Sequence, residues 1–477
     1  MDTPNESSAA EAGAATSLAA DLAAPTVTRA YQCQCGRPVF LGNSECLACH
    51  TPLGFVIESL GVVPLAPVPS PDAAAPPPGD AGVDLDADVT LAFYTVFGDA
   101  HGRQYHRCAN FITAAGCNWM VPAPRDGDDA AFTTAGLAPR YCLSCSATRT
   151  IPDLSLQGNG ELWRKLEQSK RRLMSQLLAL GLPVVTRHAD PVHGLAFDFL
   201  SNTPGGPHVL TGHEMGVITL NAEEAEDAVR ERIRAEMREP YRTLVGHFRH
   251  EIGHYYWDLL VAPTHWLDDF RAVFGDERLD YAGALRQHYE QGPPPDWRVR
   301  YVTSYASSHP WEDWAETWAH YLHMADTADT AMSFGVDASR AELASDLFEP
   351  ADLWQPEHPD AMKFLDFLNG WVRLTNVLNE LSRSMGQPDY YPFVLPRAAV
   401  GKLQFVHQVI TQQREQRQQA QARPDGAAEL SPRAEPAQSQ SQGQGQGQSE
   451  GQGQGQQQQG CEPMGQQFQE QRFNVAW

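Results

Sequence analysis

Residues 241–260 read YRTLVGHFRHEIGHYYWDLL. Leu244, Val245, Phe248, Ile252, Tyr256 and Leu259 fall at helical intervals, so the segment predicts an amphipathic helix beginning near Tyr241. Within it His250, Glu251, Ile252, Gly253 and His254 spell H-E-x-x-H. Histidines four apart lie above one another on one helix face, so both imidazoles can point at a single zinc ion. The glutamate beside the first histidine then lies next to the open coordination position, where it can take a proton from a bound water. The competing reading is a helix surface that shows two histidines and a glutamate by chance.

A hydrolytic zinc site needs a third protein ligand. A histidine six residues past His254 would continue the metzincin pattern. That position is Leu260, and the position that should be glycine is Trp257, which excludes it. Residues 309–323, HPWEDWAETWAHYLH, offer a carboxylate instead. Glu312 and Glu316 are one turn apart on the same face. Ala315 and Ala319 beside them are small enough for close packing on the first helix, and Trp311, Trp314 and Trp318 form another stripe that reads as core. Glu312 is the favoured ligand and Glu316 the carboxylate that accepts the free N–H of a zinc-bound histidine. Both face the same way, so the two roles are interchangeable at this level, and a solvated acidic face is the plainer alternative. His247 and Asp258, one turn to either side of the histidine pair, read as a helix-surface histidine and a solvated carboxylate or as orienting groups. His213, His265, His309, His320 and His323 have no partner at ligand spacing.

Eight of the nine cysteines precede residue 146, in short paired spacings that bind metal more often than they form disulfides in a reducing compartment. Cys33, Cys35, Cys46 and Cys49 form a first quartet of zinc-ribbon type. Cys108, Cys117, Cys142 and Cys145 form a second, in which the wide gap between Cys108 and Cys117 leaves room for His106 to replace a sulfur. Four protein ligands leave no place for water, so such sites fold the chain and do no chemistry. Iron is the alternative metal at tetrahedral sulfur. The ninth cysteine, Cys461, stands alone.

The expected organisation is a disordered tail over 1–29, a zinc ribbon over 30–60, a Pro/Ala linker over 61–88, a second cysteine-rich module over 89–154, a metallopeptidase domain over 155–412 and a disordered Gln/Gly-rich tail over 413–477. Leu162, Leu166, Leu173, Leu177 and Leu180 predict one helix ending at Gly181. Residues 194–200 and 216–221 predict strands, and Asn221 a cap on a charged helix reaching about Arg238. The fold class is α+β, mostly helical with a small sheet.

Thirty-five Lys and Arg against 59 Asp and Glu give a net charge of −24, which argues against nucleic acid as a partner. No apolar stretch is long enough for a membrane span, and the acidic N-terminus is not a secretory signal, so a cytoplasmic protein is expected.

The stretch YASSHPWEDWAETWAHYLH resembles the segment around the glutamate ligand of anthrax lethal factor and related gluzincins. That resemblance implies that Tyr305, seven residues before Glu312, polarises the scissile carbonyl. With its cysteine clusters, TRTIPDL, EPYRTLVGHFRHEIGHYYWD and RSMGQPDYYPFVL, the chain over about 30–410 is similar to bacterial zinc-ribbon-containing zinc-binding metallopeptidases. The resemblance implies a zincin-like domain that hydrolyses peptide bonds, with one catalytic Zn2+ and one or two structural ones. It also implies an edge strand, here GVITLN, that pairs with an extended peptide or protein substrate. The ribbons would recognise a protein partner. The rival reading is a ribbon-dependent interaction or regulatory protein whose H-E-x-x-H domain is a metal-stabilised scaffold. Retention of Glu251 argues against it, since a structural site has no use for the base.

Overall fold

Short strands carry the cysteine-rich region. The computed structural model describes residues 27–69, 92–124, 140–202, 209–237, 239–336 and 348–422. The hairpin β1 (Tyr31–Gln32) and β2 (Pro38–Val39) precedes an antiparallel five-stranded sheet of β3 (Leu53–Val56), β4 (Gly61–Pro67), β5 (Phe93–Val96), β6 (Gln104–Arg107) and β7 (Met120–Pro122), paired in chain order. The sheet curls until its ends meet. Phe55 N donates to Asn118 O at 2.9 Å, and the rings of Phe55 and Trp119 stack at 4.4 Å. At this closure Gly54 leaves room for the Met120 side chain, whose Sδ would lie 2.5 Å from a Cβ at that position.

This sheet corrects the expected linker. Residues 61–67 are β4, hydrogen-bonded to β3 on one side and β5 on the other, so both cysteine groups hang on one sheet. The prolines of GVVPLAP mask this strand in the sequence. Residues 70–91 lie outside the described residues.

The body that follows is α+β. Helix α1 (Leu143–Ser146) leads into β8 (Thr148–Thr150) and α2 (Asn159–Ala179), the expected Leu helix. Then come β9 (Ala196–Leu200), β10 (Gly212–Glu214) and β11 (Val217–Asn221). These strands form a mixed sheet in the order β10-β11-β9-β8, with β11 and β8 parallel to β9 and β10 antiparallel to β11. GVITLN is therefore an inner strand, and the edges are β10 and β8. Asn221 does cap, but the cap serves a single turn at Ala222–Ala225 ahead of α3 (Asp227–Glu236).

Helix α4 (Leu244–Tyr256) begins at Thr243, whose hydroxyl accepts from Gly246 N at 3.0 Å, and runs on into a π-turn at Trp257–Val261. Helices α5 (Trp266–Val273), α6 (Tyr281–Gln291), α7 (Trp297–Arg300), α8 (Pro310–Ser333), α9 (Ala361–Ser384) and α10 (Arg397–Ala422) complete the chain. The rings of Phe197, Phe199 and Phe248 join the mixed sheet to α4. On the other side of α4, Trp314 and Trp318 are fully buried among Tyr256, Phe270, Phe274 and Phe405. Truncating either tryptophan to alanine would cost about 3–5 kcal/mol.

Both expected tail boundaries move. Arg29 is buried, donating to Ser175 Oγ at 3.2 Å and pairing with Asp326 at 3.1 Å, while its own N–H donates to Ser333 Oγ. At the other end α10 continues past residue 413 to Ala422. The chain divides into two units, Met1–Arg414 and Glu415–Trp477, and the described part of the second is the last turns of α10. Residues 1–26 and 423–477, with Cys461 among them, lie outside the described residues. No helix among the described residues is long and apolar enough to cross a membrane.

Candidate functional site

The α4 and α8 helices cross where both are narrow. A Cβ on Gly253 would meet Ala315 Cα at 3.2 Å, and Trp314 Nε1 donates to Gly253 O at 2.8 Å. This close approach, allowed by Gly253 and Ala315, brings Glu312 in the first turn of α8 to the histidines of α4. Pro310 and the His309 cap fix that first turn, with His309 Nδ1 accepting from Trp311 N at 3.1 Å. The positive end of the helix also favours a carboxylate there.

His250 Nε2 and His254 Nε2 are 3.2 Å apart, and Glu312 Oε2 lies 3.0 Å from the first and 3.5 Å from the second. Zinc with bonds of 2.0–2.1 Å in tetrahedral geometry sets its ligands roughly 3.3 Å apart, which this triangle matches. Glu312 Oε2 is buried without a hydrogen-bond partner among the described residues, as expected of an atom that faces a cation. Burial disfavours charge on His250, yet Glu312 and Glu316 hold its pKa well above the ordinary histidine value. The pocket attracts positive charge, and the three residues fit a divalent metal ion.

The two glutamates are distinguished by position. Glu316 accepts from His250 Nδ1 at 2.7 Å and from Thr303 Oγ1 at 2.6 Å, turning Nε2 of the ring toward Glu312. His254 is held differently, by the face of Trp311 at 3.9 Å between ring centroids. Trp311 thus leaves the tryptophan core stripe and joins the site. Asp258 faces His213 at 3.9 Å rather than a histidine of the pair.

Glu251 is buried, with its Oε1 3.5 Å from His247 Nε2. Burial alone would raise its pKa, but the contact with His247 and the imidazoles of His250 and His254 lower it, which keeps it ionised. His247 Nδ1 pairs with Glu224 Oε2 at 2.8 Å, and Glu224 also accepts from Thr211 and Arg242. His247 is therefore no surface residue. Although burial opposes its charge, Glu224 and Glu251 hold its pKa up at about 9.

Tyr305 lies in a short turn at Tyr305–Ser307, its ring 5.9 Å from that of His250. Burial and the nearby Glu312 push its pKa well above the usual value, so the phenol stays protonated and can donate. Tyr281, Thr303, Trp311 and Glu224 were not singled out by sequence. Tyr281, at the start of α6, and Thr303, in a loop, reach the site from separate segments, and no periodicity links them to the motif. His320 and His323 pair instead with Tyr391 and Arg249, and His265 packs against the ring of Trp266.

Both cysteine quartets assemble, each with its four sulfurs within 4.8 Å of one another. Sulfur separations of 3.5 and 3.7 Å in the first and 3.6 Å in the second suit Zn–S bonds of about 2.3 Å, which place sulfurs roughly 3.7 Å apart. All eight thiols are free. His106 lies on β6 with Nδ1 bonded to Arg107 O, so no sulfur is replaced.

A histidine–carboxylate triangle on crossed helices, in a chain that also carries two four-thiol clusters, fits a zinc-binding protein of metallopeptidase type. The chain belongs to the family described as "Putative zinc-binding metallo-peptidase", which matches residues 159–409, and residues 30–156 match a zinc-ribbon domain as one unit. It is 40% identical over 385 residues, 80% of this chain and 95% of theirs, to the "Uncharacterized protein Rv2568c" of Mycobacterium tuberculosis and the "Uncharacterized protein Mb2598c" of Mycobacterium bovis. No solved structure matches.

Proposed function

We propose that the helical region is a zinc-dependent peptidase of gluzincin type, with His250, His254 and Glu312 as metal ligands and Glu251 as general base. The observation that carries this reading is the donor triangle with a buried, ionised Glu251 one residue from its first member. Zinc at that triangle supplies Lewis-acid polarisation of the scissile carbonyl and an acidified water. Glu251 takes the proton of the attacking water and passes it to the leaving amine. His247, anchored on Glu224, holds Glu251 from one side. Tyr305 donates to the carbonyl oxygen as charge builds there.

The peptide substrate lies extended along β10, the edge strand of the mixed sheet that packs on the motif helix, where backbone hydrogen bonds give affinity without demanding a sequence. The eight thiols hold two structural zinc ions, and their free state suits the reducing cytoplasm. The ribbon region presents the surface for a protein partner.

The test compares wild type with Glu251→Gln on a mixed peptide library, read by mass spectrometry, with zinc per chain measured on both. The expected result is cleavage by wild type only, at equal zinc content. Equal cleavage by both, or none by a fully zinc-loaded wild type across the library, would favour the scaffold reading with the ribbons as the working part.

A further inference from the structure

Helix α6 contributes no buried residue of its own, yet its first residue reaches the most enclosed atoms of the site. Tyr281 Oη donates to Glu312 Oε1 at 2.5 Å. The other oxygen, Oε2, is the one that stands 3.0 and 3.5 Å from the two imidazoles. A glutamate's terminal torsion is broad, so a carboxylate with both oxygens free can swing between offering one and offering two. Capturing Oε1 removes that freedom and leaves a single oxygen toward the metal position.

The donor is itself fixed. The Tyr281 ring packs edge-on against His309 and Trp311, at 5.2 and 5.8 Å between centroids. Asp280 caps α6 by accepting from Gly283 N at 3.0 Å. His309, which caps α8 through Nδ1, uses Nε2 to reach Leu279 O at 3.2 Å, just ahead of α6. One histidine therefore ties together the two elements that carry Tyr281 and Glu312, and their hydrogen bond is a designed distance rather than a chance approach of side chains.

We propose that Tyr281 is a positioning residue that fixes Glu312 as a single-oxygen ligand and so slows loss of the metal ion. This rests on the reading that His250, His254 and Glu312 hold zinc. Partners of ligating carboxylates are worth about 10–100-fold in metal affinity.

The experiment follows zinc release from the full-length, zinc-loaded protein to a chromogenic chelator, in wild type, Tyr281→Phe and His250→Ala. It adds melting curves of the chelator-treated proteins and the visible spectrum after cobalt is supplied to the emptied site. Phenylalanine keeps the ring packing on His309 and Trp311 and removes only the hydroxyl. The expected result is release of one zinc about 10–100-fold faster in Tyr281→Phe, with an altered cobalt spectrum and an unchanged melt of the stripped protein. Wild-type release with an unchanged spectrum overturns the proposal, as does a stripped Tyr281→Phe that melts lower than stripped wild type, which would make the role merely structural. If His250→Ala holds as much zinc as wild type, the metal reading fails whatever Tyr281→Phe does.

Discussion

The thiol clusters and the histidine–carboxylate triangle are built from opposite materials. Most of the thiols sit in loops and turns beside strands of two to seven residues, with Cys142 capping the short helix α1 and Cys145 within it, and in the second cluster they accept from backbone amides and lie against one another. The triangle sits on two long helices already locked by a tryptophan core. His250 leans on Glu316, Glu316 on Thr303, and Glu312 on Tyr281. A four-thiol cluster on short strands has little else to hold its ligands together, whereas the triangle is held by the packing of its helices.

The largest expected effect comes from breaking the thiol side. Cys46→Ser with Cys145→Ser should remove zinc-linked folding energy on the order of 10 kcal/mol from the curled sheet. Limited proteolysis should then cut within residues 30–124. His250→Ala with His254→Ala should lose zinc while circular dichroism stays as in wild type. If the second pair unfolds the protein, the contrast fails.

Next is the seam between the regions. Asp326 is buried and pairs with Arg29, Arg172 and Arg249, so it joins the start of the ribbon to the motif helix. Asp326→Ala strands buried guanidinium groups and should cost about 3–5 kcal/mol in urea unfolding. A loss confined to proteolysis of residues 27–69 would show that the two regions fold separately.

The His247–Glu224 pair gives a pH signature of about 2–3 kcal/mol. The folded pKa of His247 is about 9, above its ordinary value of 6.5. The stabilisation is therefore complete below pH 6.5 and is lost as pH rises through 9. Urea unfolding at pH 6 and pH 9 should show this fall in wild type and a flatter response in His247→Gln.

The smallest effect sharpens the roles of the glutamates. Glu316→Gln should weaken zinc binding about 10–100-fold in a chelator competition, since it supports a ligand without being one. Loss as complete as that from His250→Ala would exchange Glu316 with Glu312.

The sequence was most informative where chemistry and helical period coincide. His250 and His254 could be set on one helix face, with Glu251 beside them, and Glu312 and Glu316 on another because i, i+4 spacing fixes direction on a helix, but the spacing left the roles of the two glutamates interchangeable. The helices α2 and α4 followed from the same periodicity, while α9 and α10 were not read from it. The ribbon sheet was harder, because prolines in GVVPLAP imitate a linker and β4 owes its place to β3 and β5. Arg29 was hidden for a similar reason. It sits in a polar, alanine-rich context, and its partners Ser175, Asp326 and Ser333 lie far along the chain. Tyr281 and Thr303 reach the site through tertiary approach alone, for which a single chain has no local signal.

The Arg29–Ser333 contact spans 304 residues. A ribosome adds roughly 5–20 residues per second, so about 15–60 s separate the two ends of that bond during synthesis. The thiols of the ribbon emerge well inside that interval and can take up metal while the motif helix is still unmade. The guanidinium clasp can close only when α8 is nearly finished. The nascent protein thus presents both thiol clusters before the histidine–carboxylate triangle can form, because Glu312 follows the last clustered thiol, Cys145, far along the chain.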